Sequence, residues 1–281
     1  MFLTISVTTF NRKKLSEFCI KTIHERTPRD EHELIVVDNG STDGTVEMLK
    51  RYKRNGYIDK LILNHPNSLG MAINDAWKAS SRKANWLIAL ANDHFCMEGW
   101  FENFKQVVRS EFKPDYILAV YRMPAFTHWT PRKTENGGSY LVRKKSWKFG
   151  YPFGGGLAIK KACVQAYDFR YNEMKFGSQR GSITAVFCRR VHAKGLRCMA
   201  LGKPCILAQD GEFNNPAFKD YYETRFGIHL KGKDHERRKR KLALLQKRGY
   251  MPNPDLYYEG VDYDITPQTR KALEAYKKNL R

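Results

Sequence analysis

Four short apolar runs punctuate the first hundred residues, and each stops at a polar turn: Phe2–Thr8, Glu33–Val37, Leu61–Asn64 and Trp86–Ala91. Between them Lys14–Arg26 repeats its apolar residues at Leu15, Phe18, Cys19, Ile20 and Ile23, and Thr45–Tyr52 keeps the same helical period. A third helix is expected from beyond Pro66 to about Ser80. Strand–helix alternation with short connections predicts an α/β fold built on a doubly wound, mostly parallel sheet with right-handed crossovers. Such a sheet places its ligand chemistry beyond the C-terminal ends of its strands. The polar turns are therefore where function is to be sought.

Three of those turns carry chemistry. Thr8-Thr9-Phe10-Asn11-Arg12 offers hydroxyls and backbone amides, Asp38 opens the second turn, and Asn92-Asp93-His94 follows the fourth run. In a parallel sheet these ends lie side by side, so Asp38 supplies a carboxylate for a base or ribose edge and Asp93 one for a metal. The set suits a nucleotide diphosphate whose phosphates a metal would bridge. The plain alternative for either carboxylate is a turn residue or helix cap.

Further along, a helix from about Trp100 leads to a strand at Tyr116–Val120. Residues 121–150 mix Thr, Pro, Gly and aromatics with Arg132, Lys133, Arg143, Lys144 and Lys145, and read as a long loop or hairpin over the site. Three glycines, Gly154-Gly155-Gly156, precede a helix beginning near Lys160; a helix over Ser182–Lys194 and a strand at Arg197–Leu201 follow. From about Asn214 the composition turns basic: Lys231–Arg248, with Arg237, Arg238 and Arg240, reads as a basic helix, and Thr266-Pro267 opens a final one. The six cysteines form no CxxC pair and read as reduced core residues of a cytoplasmic protein, in a host cell if the source is viral. No apolar run approaches a membrane span.

Taken together, Ile5–Arg12, Ile35–Thr45 (IVVDNGSTDGT), Asn67-Ser68-Leu69-Gly70 and Leu90–His94 before Glu98-Gly99-Trp100 resemble family 2 glycosyltransferases of the GT-A fold. The likeness covers residues 2–105, continues more weakly through Gly154–Gly156 and Arg190–Gly195, and fades after about Asp210. It implies a GT-A domain over 1–213, with a nucleotide-binding half at 1–105 and an acceptor half at 106–213, then a basic, mainly helical appendage at 214–281. By the same resemblance Thr8, Thr9, Asn11 and Arg12 line the nucleotide pocket and Asp38 contacts uracil or ribose. Asn67 and Gly70 flank the nucleotide, and Gly155 and Gly156 wall the sugar and acceptor. Ala91-Asn92-Asp93 occupies the family's DxD position with alanine for the first acid, leaving Asp93 to hold Mn2+ or Mg2+; Asp210 stands where relatives supply a further metal ligand.

A second departure concerns the catalytic base. Inverting relatives carry an acidic pair at the start of the helix that holds Arg190, where this chain has Ile183 and Thr184. A base for the acceptor hydroxyl then falls to Asp168, Glu173 or Asp210, unless the mechanism is retaining. Asp210 also fits a solvated turn before Gly211.

Fifty Lys and Arg against 29 Asp and Glu give a formal net charge of +21, a field that draws polyanions. Three readings stay open on these residues. One is a UDP-sugar-dependent hexosyl- or pentosyltransferase acting on hydroxymethylated pyrimidines, such as 5-hydroxymethylcytosine, in bacteriophage-type modified DNA; the base would be flipped out to reach the donor. The second extends a cell-surface or lipid-linked glycan, with the basic helix against an anionic membrane. The third is a catalytically inactive nucleotide-sugar fold used for binding. The bases of Lys231–Lys241 surround the helix rather than leaving an apolar stripe, which favours phosphates over a membrane surface.

Overall fold

The first strand, β1 (Leu3–Thr9), is buried at every position, as is β2 (His32–Asp38). Complete burial is the mark of strands covered on both faces, and the run of Val, Ile and Leu in each fits it. The computed structural model describes residues 1–66, 68–121, 129–143, 156–171 and 183–208. The expected basic helix and the final helix lie outside them.

Helix α1 (Lys13–Arg26) links β1 to β2; α2 (Thr45–Arg54), β3 (Lys60–Ile62), α3 (Leu69–Lys78) and β4 (Trp86–Ala91) complete the nucleotide-type half. All four strands pair in parallel, in the order β3-β2-β1-β4. Alternation along β2 divides the core: Leu34 and Val36 join the large cluster containing Met48 and Leu49 of α2, whereas Ile35 and Val37 meet Ala72 and Ala76 of α3. The small alanines let that helix lie close to the sheet.

Next come β5 (His94–Cys96), α4 (Trp100–Val108), β6 (Tyr116–Leu118), β7 (Val120–Tyr121), β8 (Trp129–Lys133), β9 (Ser139–Arg143) and β10 (Leu157–Lys160). They are followed by α5 (Lys161–Ala166), α6 (Ile183–His192), β11 (Cys198–Leu201) and β12 (Ile206–Ala208). Among the described residues one sheet has the order β3-β2-β1-β4-β10-β6-β11-β9-β8, and a smaller one the order β5-β12-β7. Strand β10 runs antiparallel to both β4 and β6, so the sheet is mixed on that side.

The expected single strand over Tyr116–Val120 divides at Ala119. Its N–H donates to Gly156 O and its own carbonyl accepts from Ile206 N, which turns the chain from the large sheet into the small one. The hairpin β8–β9 is held by Asn103 of α4, whose amide donates to the carbonyls of Ser139, Gly202 and Pro204 at 3.2, 3.0 and 2.9 Å. Its Oδ1 accepts from Ser139 N at 2.5 Å. No helix among the described residues is long and apolar enough to cross a membrane.

Candidate functional site

The register places Thr9 beside Asp38 and Thr8 beside Ala91, so the three turns singled out in the sequence meet at one edge of the sheet. What they do there is largely to bolt one another in place. Asn11 N donates to Ser41 Oγ at 2.7 Å, and Thr42 N donates to Asn11 Oδ1 at 2.8 Å, stitching the turn after β1 to the loop after β2. On the other side Asn92 Nδ2 donates to Asn11 O at 3.0 Å and to Ser16 Oγ at 2.9 Å. These bonds hold two successive non-glycine residues in left-handed backbone, Asn11 at φ 53° and Arg12 at φ 63°. That conformation costs of order 1 kcal/mol per residue and persists where the surroundings over-determine it.

Asp38 is fully buried. Its Oδ1 accepts from Gly40 N and Ser41 N at 3.1 and 2.8 Å, and its Oδ2 accepts from Thr9 Oγ1 and Ser41 Oγ at 2.8 and 2.5 Å. The expected contact with uracil or ribose is thus not the arrangement here: four donors from its own loop and from β1 use the carboxylate to shape the loop. Asp43 acts similarly one turn on, accepting from Lys13 N and from both the backbone and hydroxyl of Thr45 as α2 begins. His65, buried between β3 and α3, closes the same side, with Nε2 2.8 Å from Asp75 Oδ2 and Nδ1 near Asn39 Oδ1 and Pro66 O.

Asp93 is different. It is 6% exposed, and its Oδ2 lies 3.1 Å from the guanidinium of Arg12, itself 6% exposed. His94 Nε2 stands 3.5 Å from Oδ1. Ala91 N–H donates to His94 Nδ1 at 3.1 Å, which leaves the ring proton on Nε2, directed at Asp93. His94 therefore orients the carboxylate and does not offer it a lone pair for a shared metal. Behind the turn, burial first and then the nearby Asp93 charge push the Cys19 thiol far up, so it is no nucleophile.

Gly156, at φ 86°, precedes β10, and the pairing of Leu157 with Ala89 sets it at the crevice end of the sheet. Gly70 is buried in the first turn of α3. Asp168 is not brought to the crevice. Because β10 is antiparallel, its last residue Lys160 pairs with Trp86 at the opposite end of β4; Asp168, beyond α5, is 77% exposed and paired with Arg170. Its candidacy as the base is corrected on that ground. The basic hairpin is corrected too: Arg132 and Lys133 are exposed on β8, the edge strand, and Arg143 ends β9 opposite Trp129. Strand β8 stands five places from β4, roughly 24 Å away at ordinary strand spacing, so this hairpin does not roof the crevice. Asn67, Lys144, Lys145, Gly155, Glu173, Asp210, Arg237, Arg238 and Arg240 lie outside the described residues.

Sequence reasoning missed Ser16, Ser41 and Asn39 as parts of this framework. A serine within a Gly-Ser-Thr-Asp-Gly turn is a signal for side-chain-to-backbone capping and points to Ser41; nothing local marks Ser16.

A model of the family described as glycosyl transferase family 2 matches residues 4–167, more than half of the chain. The chain belongs to that family. Solved structures agree on the GT-A architecture. Staphylococcus aureus TarS 1-349 in complex with UDP-GlcNAc superposes with a TM-score of 0.56 at 15% identity, covering 100% of this chain and 82% of that one. The mannosyltransferase PcManGT of Pyrobaculum calidifontis, in complex with GDP-Man and Mn2+, gives 0.55 at 15% identity, covering 99% and 85%. At such identities the likeness is one of fold. No curated protein sequence matches the chain.

The transferase's crevice can be weighed for a metal. Among the described residues no three His, Cys, Asp or Glu side chains form a ready-made cage. Mg2+ and Mn2+ sites at phosphates need less: one or two carboxylates, with phosphate oxygens and waters completing the shell. A buried carboxylate at a strand end, already balanced by a guanidinium in the place of a cation, fits that requirement.

Proposed function

We propose that this family 2 glycosyltransferase moves a sugar from a nucleotide-diphosphate sugar, with a UDP-sugar as the donor, to a hydroxyl on a polyanionic acceptor. The observation that carries the reading is the convergence of the β1, β2 and β4 ends on Asp93, the one carboxylate of these three turns that is balanced by a cation rather than used up in its own loop. Asp93 would hold Mn2+ or Mg2+, which supplies charge stabilisation to the departing diphosphate. Asn11 and Asn92 keep the turn around Arg12 rigid, the loop built on Asp38 forms the side wall, and Gly156 leaves room at the β10 side. Asp210 is our candidate for a second metal ligand or the base. In support, β12 ends at Ala208 paired with His94, so the chain departs beside Asp93 two residues before it.

The acceptor we favour is a hydroxymethylated pyrimidine in DNA. What supports a polyanion is the net charge of +21 together with the exposed Arg132 and Lys133 on the edge strand. The test is transfer from a panel of UDP-sugars, with Mn2+ or Mg2+, to duplex DNA carrying 5-hydroxymethylcytosine or 5-hydroxymethyluracil. Unmodified DNA and Asp93→Ala run alongside, and mass spectrometry reads the digested nucleosides. A sugar-sized gain that needs both the hydroxymethyl group and Asp93 is the expected result. Metal-dependent transfer to saccharide or lipid-linked acceptors, with none to DNA, would move the acceptor to a glycan. UDP-sugar binding without any transfer would leave the binding-protein reading.

A further inference from the structure

We propose that Arg12 is a displaceable resident cation. In the donor-free protein it occupies the Asp93 carboxylate, and it cedes that carboxylate to a metal when a nucleotide diphosphate arrives to receive the guanidinium. The inference rests on the reading that Asp93 is the metal ligand, and it goes beyond it by assigning Arg12 a competing role that ties metal binding to nucleotide binding.

Three observations lead there. First, an ionised carboxylate with 6% exposure needs compensation, since leaving such a charge unpaired costs several kcal/mol. The empty site therefore cannot simply wait for a metal; some cation must stand in, and the guanidinium at 3.1 Å does so. Second, Arg12 sits at φ 63° in a turn whose neighbour Asn11 is also left-handed and is bonded to Ser41, Thr42 and Asn92. The backbone that launches the guanidinium is thereby fixed from two strand ends, while the side chain keeps its long, rotatable stem. Third, the partner is a cation that suits diphosphate as well as carboxylate. Guanidinium forks onto phosphate oxygens bidentately, and a divalent ion and a guanidinium repel one another on a single carboxylate. Exchange of one cation for another on Asp93 keeps its charge balanced throughout, and the displaced guanidinium finds its new partner in the phosphates.

The consequence is a coupling: metal alone must evict Arg12 into a crevice that holds no diphosphate, so it binds weakly. The experiment titrates Mn2+ into the full-length protein without nucleotide, with electron paramagnetic resonance reading free Mn2+. Wild type is compared with Arg12→Gln, Arg12→Ala and Asp93→Asn. Removal of the competing cation is expected to raise nucleotide-free Mn2+ affinity about tenfold, within the usual range of coupling between sites, and Asp93→Asn is expected to abolish it. Guanidinium chloride at non-denaturing concentration, against matched sodium chloride, is expected to reverse the gain in Arg12→Ala by restoring a competitor. A purely structural Arg12 would lower the affinity or leave it unchanged, and either result overturns the proposal.

If the neutral variants do not fold, Arg12→Lys decides. Its shorter, single-point cation holds Asp93 less firmly, so affinity rises above wild type, and no rise refutes the idea. UDP binding measured in parallel separates the two levels. UDP bound by wild type with no change in manganese affinity across the Arg12 variants sinks the exchange and leaves the transferase reading intact. No UDP binding at all removes both.

Discussion

Asp38→Asn separates a carboxylate that builds the pocket from one that touches the ligand. The substitution conserves shape. Its amide oxygen can still accept from the backbone N–H groups of Gly40 and Ser41, now at 3.1 and 2.8 Å from Oδ1, but as a neutral acceptor. Hydrogen bonds to an ionised group exceed neutral ones by about 1 kcal/mol each, so these two bonds lose about 2 kcal/mol together. At the other position an NH2 faces two hydroxyls that presently donate to it, from Thr9 and Ser41. Both can rotate, and Val37 O, 3.4 Å from Thr9 Oγ1, is ready to take the Thr9 proton, so this side adds little. Relief from burying a charge works in the opposite direction and keeps the net near 2 kcal/mol rather than above it. With a urea m-value of about 2 kcal/mol/M, the midpoint falls by about 1 M. UDP affinity, by calorimetry at a temperature where the variant is folded, changes less than about threefold, because the loop is still built. An unchanged midpoint with a tenfold loss of UDP affinity would refute the reasoning and return Asp38 to the base or ribose.

Three further outcomes are expected. Asn103→Leu leaves the carbonyls of Ser139, Gly202 and Pro204 and the N–H of Ser139 without their partner, and costs about 3 kcal/mol in urea unfolding; hydrogen exchange at β8–β9 rises while UDP affinity holds, and a variant with wild-type stability contradicts the role. Burial opposes ionisation of Asp115, but hydrogen bonds from Lys160 and Arg197 outweigh it and hold the carboxyl at about 2. Its folded pKa lies below the unfolded one, so its contribution is whole above about pH 4 and drains as pH falls toward 2; Asp115→Asn flattens that limb of the stability curve, and parallel curves refute it. Burial pushes the thiols of Cys188, Cys198 and Cys205 up to about 12, so Ellman's reagent at pH 8 labels them in urea and barely in the native protein, and rapid native labelling would contradict the packing.

The sheet's nucleotide-type half was legible because each apolar run there is long enough to show its period and ends at a polar turn. The elements that escaped are those made by pairing alone. Ile206–Ala208 and His94–Cys96 are three residues each, too short for any period, and exist as strands because they pair with one another. Leu157–Lys160 has no direction of its own; insertion between β4 and β6 fixed it antiparallel, and that reversal carried Asp168 to the wrong end of the sheet. At the site, spacing located the carboxylates but not their orientation. Asn11, Asn92 and Asp38 are residue types that a ligand would use, and here the backbone of neighbouring turns uses them first.

The two crevice carboxylates show why orientation decides the chemistry. Asp38 is met by four neutral donors, two of them backbone N–H groups that cannot turn away, so a metal there would have to break the loop before binding. Asp93 is met by a guanidinium on a flexible stem and by an imidazole N–H whose tautomer Ala91 sets. Replacing the guanidinium by another cation disturbs no backbone hydrogen bond and leaves the charge balanced. Burial is nearly the same for both groups, at 0% and 6% exposure, and therefore cannot be what distinguishes them. The distinction lies in the partners: neutral, rigid donors make a carboxylate structural, and a mobile cation makes it exchangeable.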